Sequence, residues 1–516
     1  MLSKIHTATV HGIEGDAVMV EVDITKGLPG FYVVGLGDTS IKEAGQRVKS
    51  AIRNSGFEYP LNHIVVNLTP AWLHKKGSHF DLAIAMGILQ SAGTIKGRGA
   101  YAVLAESGFL GELCLDGSIA PVKGVLSMVQ AFRGVKRIFL PEANYMEGKL
   151  AADAYNLDLI PVHHLREVVD LVLGEEPWPK MPLRRSDEVV GKPNLQVDLD
   201  FGQVKGHWET KEGLAVAVAG GHSILLMGPP GAGKTMLAKR VATILPEMDV
   251  KEQLETTMIY SVAGLLQDGV PLIEQRPFRR VDHRITKAGL LGGGSTPYPG
   301  EISLAHNGVL FLDEFLELDK QIIDGLRLPM EEGEVAMVRR GKRYAFPSRF
   351  MMVAATNPCR CGFLGDPLQP CTCTQTQIDQ YQSRLSGPMA DRIDLYINVY
   401  PVDWEHLTTA EPVTSAVLKE KVLRARAMQK KRFEGEKISL NGQMEECHVE
   451  VFCKLEREDA AFVEDMMKRY RLSTRRYLKW MRLARTVADM QGQEVLTRTH
   501  LAAAFRYVNV ARKGGE

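Results

Sequence analysis

Residues 223–235 read Ser-Ile-Leu-Leu-Met-Gly-Pro-Pro-Gly-Ala-Gly-Lys-Thr, so a short apolar run leads into a glycine-rich stretch that ends in a lysine and a threonine. Residues 236–245 continue with a helical pattern. A buried strand, a glycine-rich loop and a helix in this order are the context that a phosphate-binding loop requires. Glycines let successive main-chain N–H groups turn inward, and the helix N-terminus favours anionic oxygens. The stretch therefore predicts an α/β core that binds a nucleoside triphosphate.

Two side chains of this loop have distinct expected roles. Lys234 can reach the β- and γ-phosphates of ATP, and the Thr235 hydroxyl can be a ligand of Mg²⁺. The predicted ATP-binding residues are Gly228, Pro229, Pro230, Gly231, Ala232, Gly233, Lys234 and Thr235.

Two carboxylates end a second apolar run. Residues 309–312 read Val-Leu-Phe-Leu, and Asp313 and Glu314 follow, 79 residues beyond Lys234. In open α/β sheets, ligands bind at the carboxyl ends of the strands. Asp313 suits the Mg²⁺ shell and Glu314 suits activation of the attacking water. The pair therefore predicts hydrolysis of the nucleotide as well as its binding.

A third apolar run, 350–355, is followed by Thr-Asn-Pro, and the amide of Asn357 can hold the lytic water or touch the γ-phosphate. The three motifs together resemble AAA+ ATPases. That resemblance implies a parallel-sheet core with ATP and Mg²⁺ as ligands.

The same resemblance extends to residues 387–395, Gly-Pro-Met-Ala-Asp-Arg-Ile-Asp-Leu. They look like the segment that carries the arginine finger in magnesium-chelatase-type and minichromosome-maintenance-type AAA+ proteins. Arg392 is the implied finger for a neighbouring subunit's ATP, because an arginine neutralises charge that develops on the transferred phosphoryl group. Arg384 is the alternative finger, and a local ion pair with Asp391 or Asp394 is the alternative for Arg392.

By resemblance, two further positions contact the nucleotide. Arg475, which follows a predicted N-cap at Ser473, corresponds to the sensor-2 arginine that touches the γ-phosphate. Residues 204–207, Val-Lys-Gly-His, correspond to the segment that flanks the adenine.

A basic hairpin is predicted at residues 331–344, with Arg339, Arg340, Lys342 and Arg343 at its turn. In AAA+ proteins with such an insert, the resemblance implies that the hairpin points into the channel of a ring. A basic tip can follow DNA phosphates, and Tyr344 can stack on a base. A solvated hairpin without a partner is the alternative.

Four cysteines occupy fifteen residues as two C-x-C pairs, Cys359 with Cys361 and Cys371 with Cys373. Four thiolates with glycine and proline turns between them can wrap a tetrahedral ion, for which Zn²⁺ is the usual metal. Reduced free thiols and disulfides are the alternatives. A structural Zn²⁺ here is expected to brace the loop after Asn357.

Residues 68–82 and 111–125 resemble the Lon-protease-like module at the head of ComM/YifB proteins, and the resemblance to that family covers essentially the whole chain. His79 stands where Lon proteases carry their serine, so the resemblance implies a non-catalytic module, and a catalytic Ser78–Lys123 dyad is the alternative. The predicted fold is α/β, with a Lon-protease-like α/β domain at 1–175, a linker at 176–195, an AAA+ P-loop core at 196–402 and a C-terminal helical lid domain at 403–516.

The composition excludes several classes of protein. Apolar residues make up 45% and charged residues 24%, and 63 Lys+Arg against 62 Asp+Glu leave a net charge of +1. These values are not those of a disordered chain. No apolar run is long enough to span a membrane, and no secretory signal is visible. A cytoplasmic protein is expected, and any contact with nucleic acid has to come from a local basic patch.

The sequence leaves three candidate functions for this protein. The ComM/YifB resemblance implies a hexameric, ATP-driven DNA motor that promotes branch migration in homologous recombination or natural transformation. The alternatives are a magnesium-chelatase ATPase subunit that drives metal insertion into a porphyrin, and an ATP-dependent protease or peptide remodeller. The Lon-like module and the cysteine cluster favour the first.

Overall fold

The computed structural model describes residues 2–35, 37–73, 75–178, 199–266, 272–294, 297–339, 341–366, 369–385, 387–402 and 413–508. The predicted linker from residue 179 onward and Arg340 of the predicted hairpin turn lie outside these ranges. The chain divides into two compact units. The first comprises Met1–Pro193, Gln253–Ile273 and Val338–Phe346, and the second comprises Asn194–Glu252, Glu274–Met337 and Pro347–Glu516.

The first unit is built on a seven-stranded mixed sheet. Its strands, in spatial order, are Gly30–Val34, His63–Thr69, Glu14–Thr25, Ser3–His11, Ser107–Phe109, Arg137–Pro141 and Asp158–Val162. The strand Glu14–Thr25 is antiparallel to both of its neighbours, and the remaining pairs are parallel.

Alternation of burial explains how this sheet faces its core. Val18, Val20 and Val22 are buried, and the residues between them are partly exposed, which is the two-residue period of a strand with one face in the core. The helix Asp81–Ala92 is buried from Asp81 to Gln90, so it forms the centre of the unit.

The other helices of the first unit surround this core. They are Thr39–Asn54, Arg98–Ala105, Val125–Ala131, Tyr145–Tyr155 and Leu165–Leu173, with the 3₁₀ turn Glu142–Asn144. The strands Glu112–Leu113 and Ile119–Ala120 pair antiparallel around a turn at Asp116 and Gly117. The helix Val250–Ala263 belongs to this unit from Gln253 onward.

The second unit has a five-stranded sheet in which every pair is parallel. Its strands, in spatial order, are Phe278–Val281, Val309–Leu312, Met351–Thr356, Ile224–Met227 and Leu395–Asn398. The central strands are almost wholly buried, as expected when helices cover both faces of a parallel sheet.

The helices of this sheet domain vary in length from four to thirteen residues. They are Trp208–Gly220, Lys234–Arg240, Lys287–Leu291, Glu301–Leu304, Lys320–Gly325, Arg327–Glu332, Gln375–Gln382 and Gly387–Ala390, with the 3₁₀ turns Phe201–Gln203, Val241–Ile244 and Phe315–Glu317. Two further strand pairs lie outside the main sheets, in addition to Glu112–Leu113 with Ile119–Ala120: Gly292–Gly293 with Tyr298–Pro299, and Glu334–Arg339 with Lys342–Pro347.

The C-terminal part of the second unit is helical. Its helices are Ser415–Arg432, Glu446–Phe452, Arg457–Tyr470, Thr474–Met490 and Arg498–Phe505, with the 3₁₀ turn Asn441–Gln443. Ser473 caps the fourth helix by accepting a hydrogen bond from the main-chain N–H of Arg476, which confirms the predicted N-cap. The parallel-sheet core and the helical C-terminal region confirm the predicted fold class.

Within the described part of the chain, no helix combines the length and the apolar character that a bilayer crossing requires.

Candidate nucleotide site

Parallel strand register brings three motifs to one edge of the second sheet. Met227 is paired with Thr356, and Leu312 is paired with Ala354. The residues that follow these strands, among them Gly228, Asp313 and Asn357, therefore emerge on the same side. This carboxyl edge is where open α/β sheets bind their ligands.

The glycines of the phosphate loop are required by its geometry. A Cβ on Gly228 would lie 2.0 Å from the carbonyl oxygen of Val399, which no other residue could tolerate. Gly231 and Gly233 have φ angles of +79° and +83°, a left-handed conformation that favours glycine. The helix begins at Lys234 directly after Gly233, so its first main-chain N–H groups face the loop.

The Lys234 ammonium is held inside the loop. Its Nζ donates to the carbonyl oxygens of Gly228 at 2.6 Å and Pro229 at 2.8 Å, and to Oδ1 of Asn357 at 3.1 Å. Burial lowers the pKa of Lys234 to about 8, and the charges of Asp313 and Glu314 offset this only in part. A bound triphosphate would restore the preference for the charged form.

The Thr235 hydroxyl and the Asp313 carboxylate face each other, with distances of 3.2 and 3.4 Å from Oγ1 to the two carboxylate oxygens. These oxygen atoms are the type of ligand that Mg²⁺ prefers, and their positions fit the two protein ligands expected from the sequence. Arg280 also reaches Asp313, with Nη2 2.9 Å from Oδ2. Arg280 could not be identified from the sequence, because nothing in the pattern Phe-Arg-Arg-Val at 278–281 marks a nucleotide site.

Glu314, the predicted base, has a φ of +51°. Non-glycine residues in this region store strain of about 1–3 kcal/mol, and they cluster at functional sites. The Oε2 atom of Glu314 lies 2.6 Å from Nδ1 of His283, and both side chains are partly exposed. His283 is a second residue that sequence reasoning missed, since no motif links it to the carboxylate strand.

His207 borders the phosphate loop on its other side. A Cβ placed on Gly233 would lie 3.5 Å from His207 Nε2, and the backbone of His207 has a φ of +54°. Burial, assisted by the charge of Lys211, lowers the pKa of His207. His207, the last residue of the segment 204–207, therefore lies next to Gly233, and the role of this segment beside the adenine stays a prediction.

Arg392 lies at the amino ends of the parallel strands, whereas the phosphate loop lies at their carboxyl ends. It precedes the strand Leu395–Asn398, whose first residue pairs with Ile224, and the hydroxyl of Ser223 donates to its carbonyl oxygen. A four-residue strand spans about 13 Å, which separates this edge from the phosphate loop. The Arg392 side chain donates to the Pro388 carbonyl at 2.6 Å and forms an ion pair with Glu331, not with Asp391 or Asp394.

Arg475 also lies near the amino ends of the strands. Its Nη1 is 2.9 Å from Oδ2 of Asp391, the residue before Arg392. Lys479 of the same helix donates to the carbonyl of Ile393 at 2.6 Å. The alternative finger, Arg384, donates instead to the carbonyl of Leu316 at 2.8 Å and pairs with Glu317 at 3.1 Å.

The four clustered cysteines come together beyond Asn357. The sulfur atoms of Cys359, Cys361, Cys371 and Cys373 all lie within 4.8 Å of one another, and none of them forms a disulfide.

The predicted DNA-binding residues lie around Gly341, which has a φ of +76°. Arg339 and Arg343 are exposed, and the Lys342 ammonium lies 4.9 Å from the ring centre of Trp72. The Tyr344 ring packs against His11 with centroids 4.2 Å apart. Trp72, which is 68% exposed, was not singled out from the sequence.

In the first unit, the Ser78 hydroxyl donates to the Glu112 carboxylate, whereas the Lys123 ammonium lies beside Gly264. His79 is partly buried, its Nε2 atom is buried without a hydrogen-bond partner among the described residues, and burial lowers its pKa to about 4. The two members of the dyad left open by the sequence therefore have separate surroundings.

Comparison with known families places matches along most of the chain. The family described as Magnesium chelatase, subunit ChlI, matches residues 200–407, which contain the candidate nucleotide site. The family described as Subunit ChlI of Mg-chelatase matches residues 20–144, and Magnesium chelatase, subunit ChlI C-terminal, matches residues 412–508.

Three individual proteins illustrate the relationship. The Uncharacterized protein YifB of Escherichia coli is 38% identical over 525 residues, which cover 99% of this chain and 98% of that protein. The Competence protein ComM of Haemophilus influenzae is 37% identical over 521 residues, with the same coverage of each chain. A Lon protease of Mycolicibacterium smegmatis is 26% identical over 173 residues, which are 32% of this chain and 21% of the protease.

Proposed function

The chain belongs to the ComM/YifB family of magnesium-chelatase-like AAA+ proteins, and on that premise we propose that it is a ring-forming ATPase that moves DNA. In this proposal, ATP hydrolysis drives translocation along DNA and promotes branch migration in homologous recombination or natural transformation. ATP hydrolysis is supported by one observation above all: five predicted site residues lie together at the carboxyl ends of the parallel strands. They are Lys234, Thr235, Asp313, Glu314 and Asn357.

The proposed reaction uses these side chains on ATP and water. Glu314 accepts a proton from the attacking water, and Asn357 orients that water toward the γ-phosphorus. Lys234 donates to phosphate oxygens as the bond to ADP breaks and inorganic phosphate leaves. Thr235 and Asp313 would hold Mg²⁺, which supplies positive charge to the β- and γ-phosphates.

The position of Arg392 supports assembly into a ring. Its side chain lies at the amino edge of the sheet, about 13 Å of strand away from its own phosphate loop, so it suits a neighbouring subunit's ATP. Arg475 lies at the same edge through Asp391 and suits the same neighbouring site. A contact between two different surfaces of the same chain closes into a ring when the rotation allows it, and we propose six copies.

A role with DNA is supported by two observations. One full-length relative is named a competence protein. The basic hairpin has Arg339 and Arg343 on its exposed surface, and its Lys342 ammonium lies 4.9 Å from the ring centre of the exposed Trp72. Cations with an aromatic platform are typical of surfaces that bind single strands. We place this activity in the cytoplasm, where thiols such as those of the cysteine cluster stay reduced.

The decisive experiment measures ATP turnover without DNA and with single-stranded, duplex and four-way junction DNA. A parallel assay measures conversion of a labelled four-way junction into the products of branch migration. We expect junction DNA to stimulate turnover, and Lys234→Ala to abolish both turnover and conversion. Turnover that ignores every DNA form, with no junction conversion, would remove DNA from the proposal and leave an ATPase.

A magnesium-chelatase ATPase subunit is the second candidate, because all three family matches carry that description. It predicts that turnover responds to partner chelatase subunits and a porphyrin instead of DNA. The full-length similarity to ComM, over 99% of this chain, favours the DNA motor.

A further inference from the structure

We infer that Cys359, Cys361, Cys371 and Cys373 bind one zinc ion, and that this ion holds the phosphate loop in shape. The coupling part of the inference rests on the proposed ATP site, whereas the metal part does not. Zinc here would be structural, since four sulfur ligands leave no open position for a substrate.

The sulfur positions fit a metal better than disulfides. The Sγ atom of Cys359 lies 3.4 Å from that of Cys361 and 3.7 Å from that of Cys371, and the Cys361–Cys371 distance is 3.5 Å. A disulfide requires about 2.05 Å. Four sulfurs at about 2.3 Å from a tetrahedral zinc lie about 3.8 Å apart, close to the observed spacing.

Main-chain N–H groups are directed at two of the four sulfur atoms. The N–H of Cys361 points at Sγ of Cys373, 3.4 Å away, and the N–H groups of Phe363 and Thr372 point at the sulfur of Cys361. N–H donors directed at sulfur atoms orient them as metal ligands. Cys359 is fully buried and the other three are partly buried, so the ion would be shielded on one side.

The cysteine loop packs directly on the phosphate loop. Gly362, between the first pair of cysteines and Phe363, has a φ of +90°, and a Cβ there would lie 2.7 Å from Cδ of Pro230. Its N–H donates to the carbonyl of Cys359 at 3.0 Å. The backbone of the turn that the metal would close therefore touches the loop that receives the phosphates.

A second link passes through Asn357. This residue lies two positions before Cys359 and accepts a hydrogen bond from Lys234 at 3.1 Å. Without the ion, the cysteines would no longer fix the segment 357–362. This segment places Asn357 beside Lys234 and packs against Pro230. Loss of the ion should therefore weaken nucleotide binding, although no cysteine lies among the residues that contact phosphate.

The metal part is tested on the purified full chain by elemental analysis after dialysis and by Co²⁺ substitution. We expect one zinc per chain and the intense visible absorption of tetrahedral cobalt thiolate. Replacing Cys359 and Cys361 with serine should abolish both signals, whereas Cys114→Ser, at an exposed cysteine outside the cluster, should retain them. Wild-type protein with no bound metal and four titratable thiols in the cluster would overturn the zinc assignment.

The coupling is tested with two glycine variants that keep all four ligands. Gly362→Ala brings a methyl group into Pro230, whereas Gly365→Ala has the same left-handed strain, φ +76°, with nothing within 4 Å. We expect both to bind zinc and only Gly362→Ala to weaken binding of a fluorescent ATP analogue, by about tenfold, as for one lost hydrogen bond to a charged group. Equal affinities in the two variants, or in zinc-loaded and chelator-stripped wild type, would overturn the coupling. If no form of the protein binds ATP, the proposed function fails while the zinc result stands.

Discussion

Nδ1 of His283 lies 2.6 Å from Oε2 of Glu314, and each residue comes two positions after the end of one of two paired parallel strands. The carboxylate that we propose as the base is therefore engaged by an imidazole. A base that must accept a proton from water has to leave such a contact or share it.

The first prediction concerns this contact. His283→Ala should raise ATP turnover in the absence of DNA by up to about tenfold, because a charge-assisted hydrogen bond no longer has to break before Glu314 acts. Steady-state phosphate release measures the rate. Arg284→Ala, an exposed neighbour, should leave it unchanged, and a loss of turnover in His283→Ala would mean that the histidine orients Glu314 for catalysis.

The second prediction follows from the pKa of Lys234, which burial lowers to about 8. A bound triphosphate favours the charged ammonium and raises that pKa, so the complex holds a proton that the free protein has lost above about pH 8. ATP affinity should be level below pH 8 and fall above it, by at most about tenfold per pH unit. Calorimetry in buffers of different ionisation enthalpy should detect proton uptake on binding at pH 9. An affinity that stays level to pH 10 would contradict the shifted pKa.

The third prediction tests whether Arg392 acts on a neighbouring subunit. Arg392→Ala and Glu314→Gln should each lack ATPase activity, but mixed rings contain sites with an intact Glu314 and an intact Arg392 from the next subunit. Random mixing of equal amounts should restore about a quarter of the sites. Activity of the mixture is compared with each variant alone, and no recovery would contradict action between subunits.

The fourth prediction concerns the basic hairpin. Replacing Arg339, Lys342 and Arg343 with alanine should weaken single-strand binding and reduce the slope of log affinity against log salt by about 0.7 for each lost phosphate contact. Fluorescence anisotropy over a salt series gives the slope. A matched triple variant at exposed Lys26, Lys96 and Arg98 should keep the wild-type slope, and an unchanged slope in the hairpin variant would reject this surface.

The fifth prediction concerns stability of the C-terminal helices. Asp489 is fully buried and accepts hydrogen bonds from Arg432 at 2.6 and 2.7 Å and from Arg485 at 3.0 Å. Asp489→Asn leaves two arginines without their countercharge and should cost about 3–5 kcal/mol. Hydrogen exchange in the helix Thr474–Met490 measures the loss, and exposed Asp465→Asn should not change it.

Sequence patterns predicted the elements whose apolar residues are contiguous or periodic. The runs at 223–227, 309–312 and 350–355 are the central strands Ile224–Met227, Val309–Leu312 and Met351–Thr356. Both faces of these strands are covered, so their sequences are continuously apolar.

Sequence patterns did not predict a strand that is held in the sheet by ion pairs between distant residues and not by burial of apolar side chains. The strand Phe278–Val281 contains two arginines and lies at the sheet edge. Arg279 pairs with Glu301 at 2.6 Å and Arg280 with Asp313 at 2.9 Å. These ion pairs join residues more than twenty positions apart, so no local pattern indicated a strand.

The sequence by itself determined the phosphate loop and its two carboxylates, because glycine spacing and the strand-loop-helix order are local properties of the chain. Only the tertiary structure decided that His283 meets Glu314 across 31 residues and that Arg392 lies at the sheet edge opposite Lys234. Those relationships depend on which strands pair and in what register, and that choice is made by burial of the whole sheet and not by any single segment.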